Sequence, residues 1–134
     1  MRRARDWFLA SFHAQTPEEF ETLCPRGSES NAYFRMVTSY WEMAASFVTS
    51  GVLNQELLFQ SSGELAFVWE RLRALAPATR AMYKNPHMMK NLETVAEAYV
   101  RYQNERAPDW YAGFRQMVHA RPAAQPGKTE RAAG

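Results

Sequence analysis

Asn31-Ala-Tyr-Phe-Arg-Met-Val-Thr-Ser-Tyr-Trp-Glu-Met-Ala-Ala-Ser-Phe-Val-Thr-Ser50 is the stretch whose reading decides the fold. Its apolar residues (Tyr33, Phe34, Met36, Val37, Tyr40, Trp41, Met43, Ala44, Ala45, Phe47, Val48) recur at helical spacing and spread well beyond the one-sided stripe of a surface helix. The remaining strip, Asn31, Arg35, Thr38, Glu42, Ser46 and Thr49, is small and hydroxylated rather than rich in Lys and Glu. Such a helix belongs at the centre of a bundle with others around it. Gly51 supplies a left-handed stop.

Outward from this helix the punctuation stays helical. Thr16-Pro17-Glu18-Glu19 joins a capping threonine, a proline at the first helical position and a capping-box glutamate, starting a helix that ends near Cys24-Pro25. Ser28 or Ser30 caps the central helix. Residues 5–13 form a short amphipathic helix with Phe8 and Phe12 one turn apart. Asn54 caps a short helix carrying Leu57, Leu58 and Phe59. Ser62 opens another with the stripe Leu65, Val68, Trp69, Leu72, Leu75, which Pro77 must kink or restart. Asn85-Pro86 reads as a further start, with Met88, Met89, Leu92, Val95, Ala96, Tyr99 and Tyr102 inward and Glu93, Glu97 and Arg101 toward water. Pro108-Asp109 opens a last helix. No alternating Val/Ile/Thr run and no Asn-Gly or Asp-Gly turn signals a strand. The pattern predicts an all-α bundle of about six helices around the segment 31–50, with residues 1–120 as one helical domain. Residues 121–134, which have almost nothing to bury, are expected to form a disordered tail.

Composition narrows the function classes. The 134 residues are 46% apolar and 22% charged, as in a globular domain. One cysteine, Cys24, excludes an internal disulfide and any multi-cysteine metal site, and at a helix end before Pro25 it reads as a small buried hydrophobe. No apolar run is long enough to span a membrane, and Trp7 to Ala10 is too short for a signal peptide. A reducing cytoplasmic setting is the expectation.

Chemistry is harder to find. His13, His87 and His119 lie far apart, without a carboxylate or second histidine at helical metal-ligand spacing. The six glycines form no phosphate loop. No nucleophile, base and orienter come together, so no catalytic residue, cofactor or metal is assigned. Net charge is +2, too small to imply nucleic acid. Its distribution is uneven: residues 18–70 hold eight acids against Arg26 and Arg35, while residues 71–90 hold Arg71, Arg73, Arg80, Lys84 and Lys90 with no acid. That block either faces the acidic half of the same fold or forms an anion-binding patch. Glu42 is the one acid inside the apolar central helix. A half-buried carboxylate needs a cation or hydrogen bonds, and the arginines around Pro77 make Arg80 its expected partner in a structural ion pair, with a ligand contact as the other reading.

Tyr40-Trp41-Glu42, the stop Gly51-Val52-Leu53, Trp69 and the spacing from Arg80 to Pro86 resemble a family of short bacterial helical proteins described only as a domain of unknown function. The resemblance runs from Asn31 to Tyr102. It implies an all-helical fold and no particular activity; some members have an upstream membrane helix, and no such segment is expected in this sequence. The resulting expectation is a non-enzymatic interaction or regulatory module with a protein partner or a second copy, and no nucleic acid. The alternative is a small-ligand or anionic-lipid binder using residues 71–90. An interaction module should expose an apolar patch, whereas a ligand binder should enclose a cavity walled by Glu42 or Arg80.

Overall fold

Short-range capping chemistry sets where most helices begin. The computed structural model describes residues 1–120, so the expected tail at 121–134 lies outside the described residues. Eight helices follow in order: α1 (Arg2–Ser11), α2 (Pro17–Leu23), α3 (Glu29–Thr49), α4 (Gln55–Ser61), α5 (Glu64–Leu72), α6 (Ala76–Met82), α7 (Lys90–Arg106) and α8 (Trp110–His119). Among the described residues there is no strand, and no helix is long and apolar enough to cross a membrane. Thr16 Oγ1 accepts from the Glu19 amide at 3.2 Å, Ser28 Oγ from the Asn31 amide at 3.1 Å, and Asn54 Oδ1 from the Leu57 amide at 3.1 Å. Gly51, at φ +83°, turns the chain after α3. Pro77 restarts the chain rather than kinking it, at the first turn of a separate α6.

α3 runs along α1 on one side and α7 on the other. Two aromatic clusters flank that layer. Phe12 meets Phe8 at 4.8 Å and Phe34 at 5.1 Å between ring centroids, with Phe20 edge-on to Phe34. At the other end Tyr99 lies between Phe59 (5.2 Å) and Trp110 (5.6 Å), and Trp110 stacks on Phe114. Enclosure on every side belongs to α5, where Leu65, Ala66, Val68, Trp69, Glu70, Arg71 and Leu72 are all buried. The structure departs from the sequence reading here: α3 was expected to be surrounded, yet Met36, Tyr40, Met43 and Phe47 remain 42–48% exposed. Neither α1 nor α7 reaches that face.

A second departure concerns α7. Asn85-Pro86 starts no helix; Asn85 Oδ1 accepts from the His87 amide in a local turn, and α7 begins at Lys90 behind Met89 at φ 57°. A methionine in the left-handed region is strained by about 1–2 kcal/mol. The interactions that hold this corner come from elsewhere in the fold.

Candidate functional site

Glu42 holds the start of α7. Its Oε2 accepts from the Leu92 amide at 2.8 Å, and its Oε1 accepts from Asn91 Nδ2 at 2.9 Å and the Asn91 amide at 3.3 Å. The first amides of a helix have no partner within it and carry partial positive charge, so a carboxylate from α3 serves as a cap that the local sequence lacks. Thr49 on α3 also bonds the Asn91 side chain, at 2.7 Å.

The ion pair expected between Glu42 and Arg80 is therefore corrected. Arg80 instead donates from Nη2 to Glu93 at 2.7 Å and from Nε to the Met88 carbonyl at 2.8 Å, fastening the end of α6 to the corner before α7. Its guanidinium also lies 5.6 Å from the Trp69 ring. Glu93, expected to face water, is half-buried between Arg80 and Lys90. Burial pushes its carboxyl up, but the bonds from Lys90 and Arg80 outweigh this and hold it below the usual value.

The basic segment 71–90 does not form one anion-binding surface. Arg71 is 6% exposed inside the core. Its Nη1 donates to the carbonyls of Phe8 (3.0 Å) and Phe12 (2.8 Å) at the end of α1, and its Nε to the Val118 carbonyl (2.9 Å) at the end of α8. Helix C-termini are the negative ends of the dipole, so one guanidinium ties down two of them. Arg73 pairs with Glu70 and Glu97, and Lys90 with Glu93. Lys84 is exposed on the turn after α6. The positive charge is directed mostly into the fold, and much of it meets acids from α7 as well as α5.

Beside Arg71, Glu70 forms the densest polar cluster. It is 3% exposed, accepts from Tyr111 Oη at 2.8 Å and from Arg73 Nε at 3.2 Å, and lies 3.2 Å from Arg115 Nε and 3.4 Å from His119 Nε2. Burial raises its carboxyl, yet the Tyr111 hydrogen bond and Arg73 bring it below the ordinary value; burial and Glu70 together raise the Tyr111 phenol. With its partners disposed around both oxygens, the carboxylate works as a tie between α5 and α8 rather than as a base open to substrate. A carboxyl lowered in the folded state stabilises the fold at neutral pH and loses that contribution as pH falls through the folded value. Urea unfolding from neutral pH down to about pH 3, below the ordinary carboxylate value, should show stability falling, and Glu70→Gln should flatten that fall. Parallel curves for the two proteins would assign the acid sensitivity to other groups.

Cys24 is buried, and burial pushes its thiol up to about 11, so it lacks the cationic surroundings of a reactive cysteine. An open groove of ≈ 400 Å³ runs between α4 and α7 over Phe59 and Tyr102, with Glu56, Arg101 and Glu105 at its sides. Neither Glu42 nor Arg80 lines it.

The feature that sequence reasoning missed is the open face of α3. Met36, Tyr40, Met43 and Phe47 follow each other at intervals of four, three and four residues and lie within an arc of roughly 60°. They form one apolar stripe about 16 Å long, bordered by Ser39, Ser46 and Ala44. Isolated exposed apolar side chains are ordinary, whereas four aligned on one helix make a surface suited to a partner. The sequence carries its signal as a helix apolar all round, a pattern that a fully enclosed helix shares. No curated protein and no solved structure matches the chain. Residues 1–101 match a family model described as Domain of unknown function (DUF4760), a span that takes in α1 and α2 ahead of the stretch 31–102 that carried the resemblance. With 101 of its 134 residues inside that match, the chain belongs to the DUF4760 family.

Proposed function

We propose that this protein is a non-enzymatic interaction module that presents the open face of α3 to a protein partner. The carrying observation is the aligned exposure of Met36, Tyr40, Met43 and Phe47 on a helix whose other sides are held by α1 and α7. Methionine and aromatic side chains provide large, adaptable contact area, and both are enriched at the centres of protein interfaces. The polar groups support this reading by their saturation: Glu42, Glu70, Arg71 and Arg80 are engaged in holding helices together. The proposed setting is a reducing bacterial cytoplasm, which suits a lone buried thiol.

A photo-reactive phenylalanine analogue placed at position 43 tests the reading, with position 21 on α2, also exposed, as the control. Discrete adducts are expected from position 43 in cells, absent from position 21 and lost when Tyr40→Glu is added. Equal, diffuse labelling from both positions would remove α3 as an interaction surface.

A further inference from the structure

The groove between α4 and α7 carries charge that the fold does not use. Its α7 wall is one helix face, Ala98, Arg101, Tyr102 and Glu105, and its α4 wall holds Glu56 and Phe59, one turn apart. The small Ala98 leaves the space, and Phe59, packed on the Tyr102 ring at 5.3 Å, forms an aromatic floor. Glu64, Glu70, Glu93 and Glu97 on the neighbouring helices are all paired with arginines. Because Arg73 takes Glu97, Arg101 is left without it. Among the described residues the side chains of Glu56, Arg101 and Glu105 have neither an ion pair nor a hydrogen bond.

Those three groups narrow what the groove can hold. Two carboxylates against one guanidinium repel phosphate-bearing ligands. Among the described residues no three His, Cys, Asp or Glu side chains gather to hold a metal ion. A purely apolar ligand would cover the rings and leave the charged groups without partners. An organic cation on an apolar stem meets both demands, because such stems lie along apolar surface while the head reaches a carboxylate. Arg101 needs an acceptor beside that cation, which a backbone carbonyl supplies and a simple amine does not. The space of ≈ 400 Å³, within the range of ligand pockets, admits a side chain together with the backbone that carries it.

We propose that this groove binds an arginine side chain on an extended segment of a partner protein. The guanidinium donates to Glu56 and Glu105, the stem lies over Phe59 and Tyr102, and a backbone carbonyl accepts from Arg101. A planar, weakly hydrated guanidinium stacks on aromatic rings better than an ammonium does. Tyr102 already holds one, that of Arg106 at 4.1 Å, in a contact outside the groove lining. The surface is separate from the open face of α3, and neither reading rests on the other.

The full chain, labelled with fluorotyrosine and assigned by Tyr102→Phe, should be titrated with the peptide acetyl-Ala-Arg-Ala-amide. The Tyr102 resonance is expected to shift to saturation while that of Tyr40 stays in place. Citrulline, which keeps the shape of arginine and loses its charge, should weaken binding at least about 10-fold, and lysine should bind more weakly than arginine. Glu56→Gln and Glu105→Gln, both at exposed positions, should each weaken it about 3-fold and together about 10-fold, with an unchanged circular dichroism spectrum. Tyr40→Glu should leave it unchanged, so that this groove and the face of α3 stand or fail separately.

No saturable shift at Tyr102, a citrulline or lysine peptide bound as tightly as arginine, or binding indifferent to the two glutamine variants would each overturn the proposal. Putrescine bound as tightly as the peptide would make the ligand a free amine. A Tyr102 resonance moved without peptide by Arg121→Gln, Lys128→Gln and Arg131→Gln would make this chain's own residues the occupant. Either result would reject the partner's segment.

Discussion

Replacing Arg71 with methionine is expected to cost the fold about 3–5 kcal/mol, the largest effect of any single polar substitution in the described residues. The guanidinium makes three hydrogen bonds of 2.8–3.0 Å to backbone carbonyls and lies 4.6 Å from the Phe67 ring. Burial pulls it down from its ordinary value, but an arginine keeps its charge across the range in which proteins fold. Methionine fills most of the volume and leaves the carbonyls of Phe12 and Val118 without that donor at the ends of α1 and α8; Phe8 keeps its bond from the Phe12 amide. Lysine should recover part of the loss, because one ammonium cannot reproduce a planar fork that reaches two helix ends. Urea unfolding with an unchanged slope is the measurement. A loss under about 1 kcal/mol would mean that the two helix ends are held by their apolar contacts alone.

Glu42→Ala is expected to cost about 2–3 kcal/mol, more than an ordinary cap, because the lost carboxylate accepts from two amides and a side chain in a half-buried corner. The effect should concentrate at the start of α7, so amide exchange at Asn91 and Leu92 should accelerate more than exchange at Tyr99. Double-mutant cycles separate the partners. Glu42→Gln with Arg80→Met should show coupling near zero, whereas Glu93→Gln with Arg80→Met should show about 1 kcal/mol or more for a pair only 15% and 20% exposed. A large coupling between Glu42 and Arg80 would restore the ion pair that the structure replaces.

Features encoded within one turn of chain were legible in the sequence. Thr16, Ser28, Asn54 and Gly51 act where their residue types said they would, because capping and left-handed stops are decided by a few neighbouring atoms. Asn85-Pro86 misled for a related reason: the local start signal is real, but the start of α7 is fixed by a carboxylate 49 and 50 residues away. In the sequence Glu42 reads as a group in need of a partner. Charge alone points to an arginine, although helix N-terminal amides meet the same need and leave no trace in composition.

The basic block failed as a unit for the opposite reason. Residues 71, 73 and 80 are close in sequence, yet they point to α1 and α8, to α5 and α7, and to the corner before α7. Glu70 reads in the sequence as one acid among eight, and its partners Tyr111, Arg115 and His119 lie on a helix beyond the family match. For α3, hydrophobic periodicity located the helix but could not count its neighbours. A helix apolar on every side is surrounded either by its own chain or by another, and only packing separates the two.

That distinction is the centre of the account, and the methionine methyl groups report on it directly. Spectra of methyl-labelled protein should be recorded alone and in a concentrated extract of its native cell, with each methionine assigned by substitution. The methyls of Met36 and Met43 are expected to shift or broaden together in the extract, while those of Met82, 66% exposed, and Met117, 59% exposed, stay in place. Resonances of Met36 and Met43 that do not change, or that change no more than those of Met82 and Met117, would contradict the claim that the open face of α3 is where this protein meets its partner.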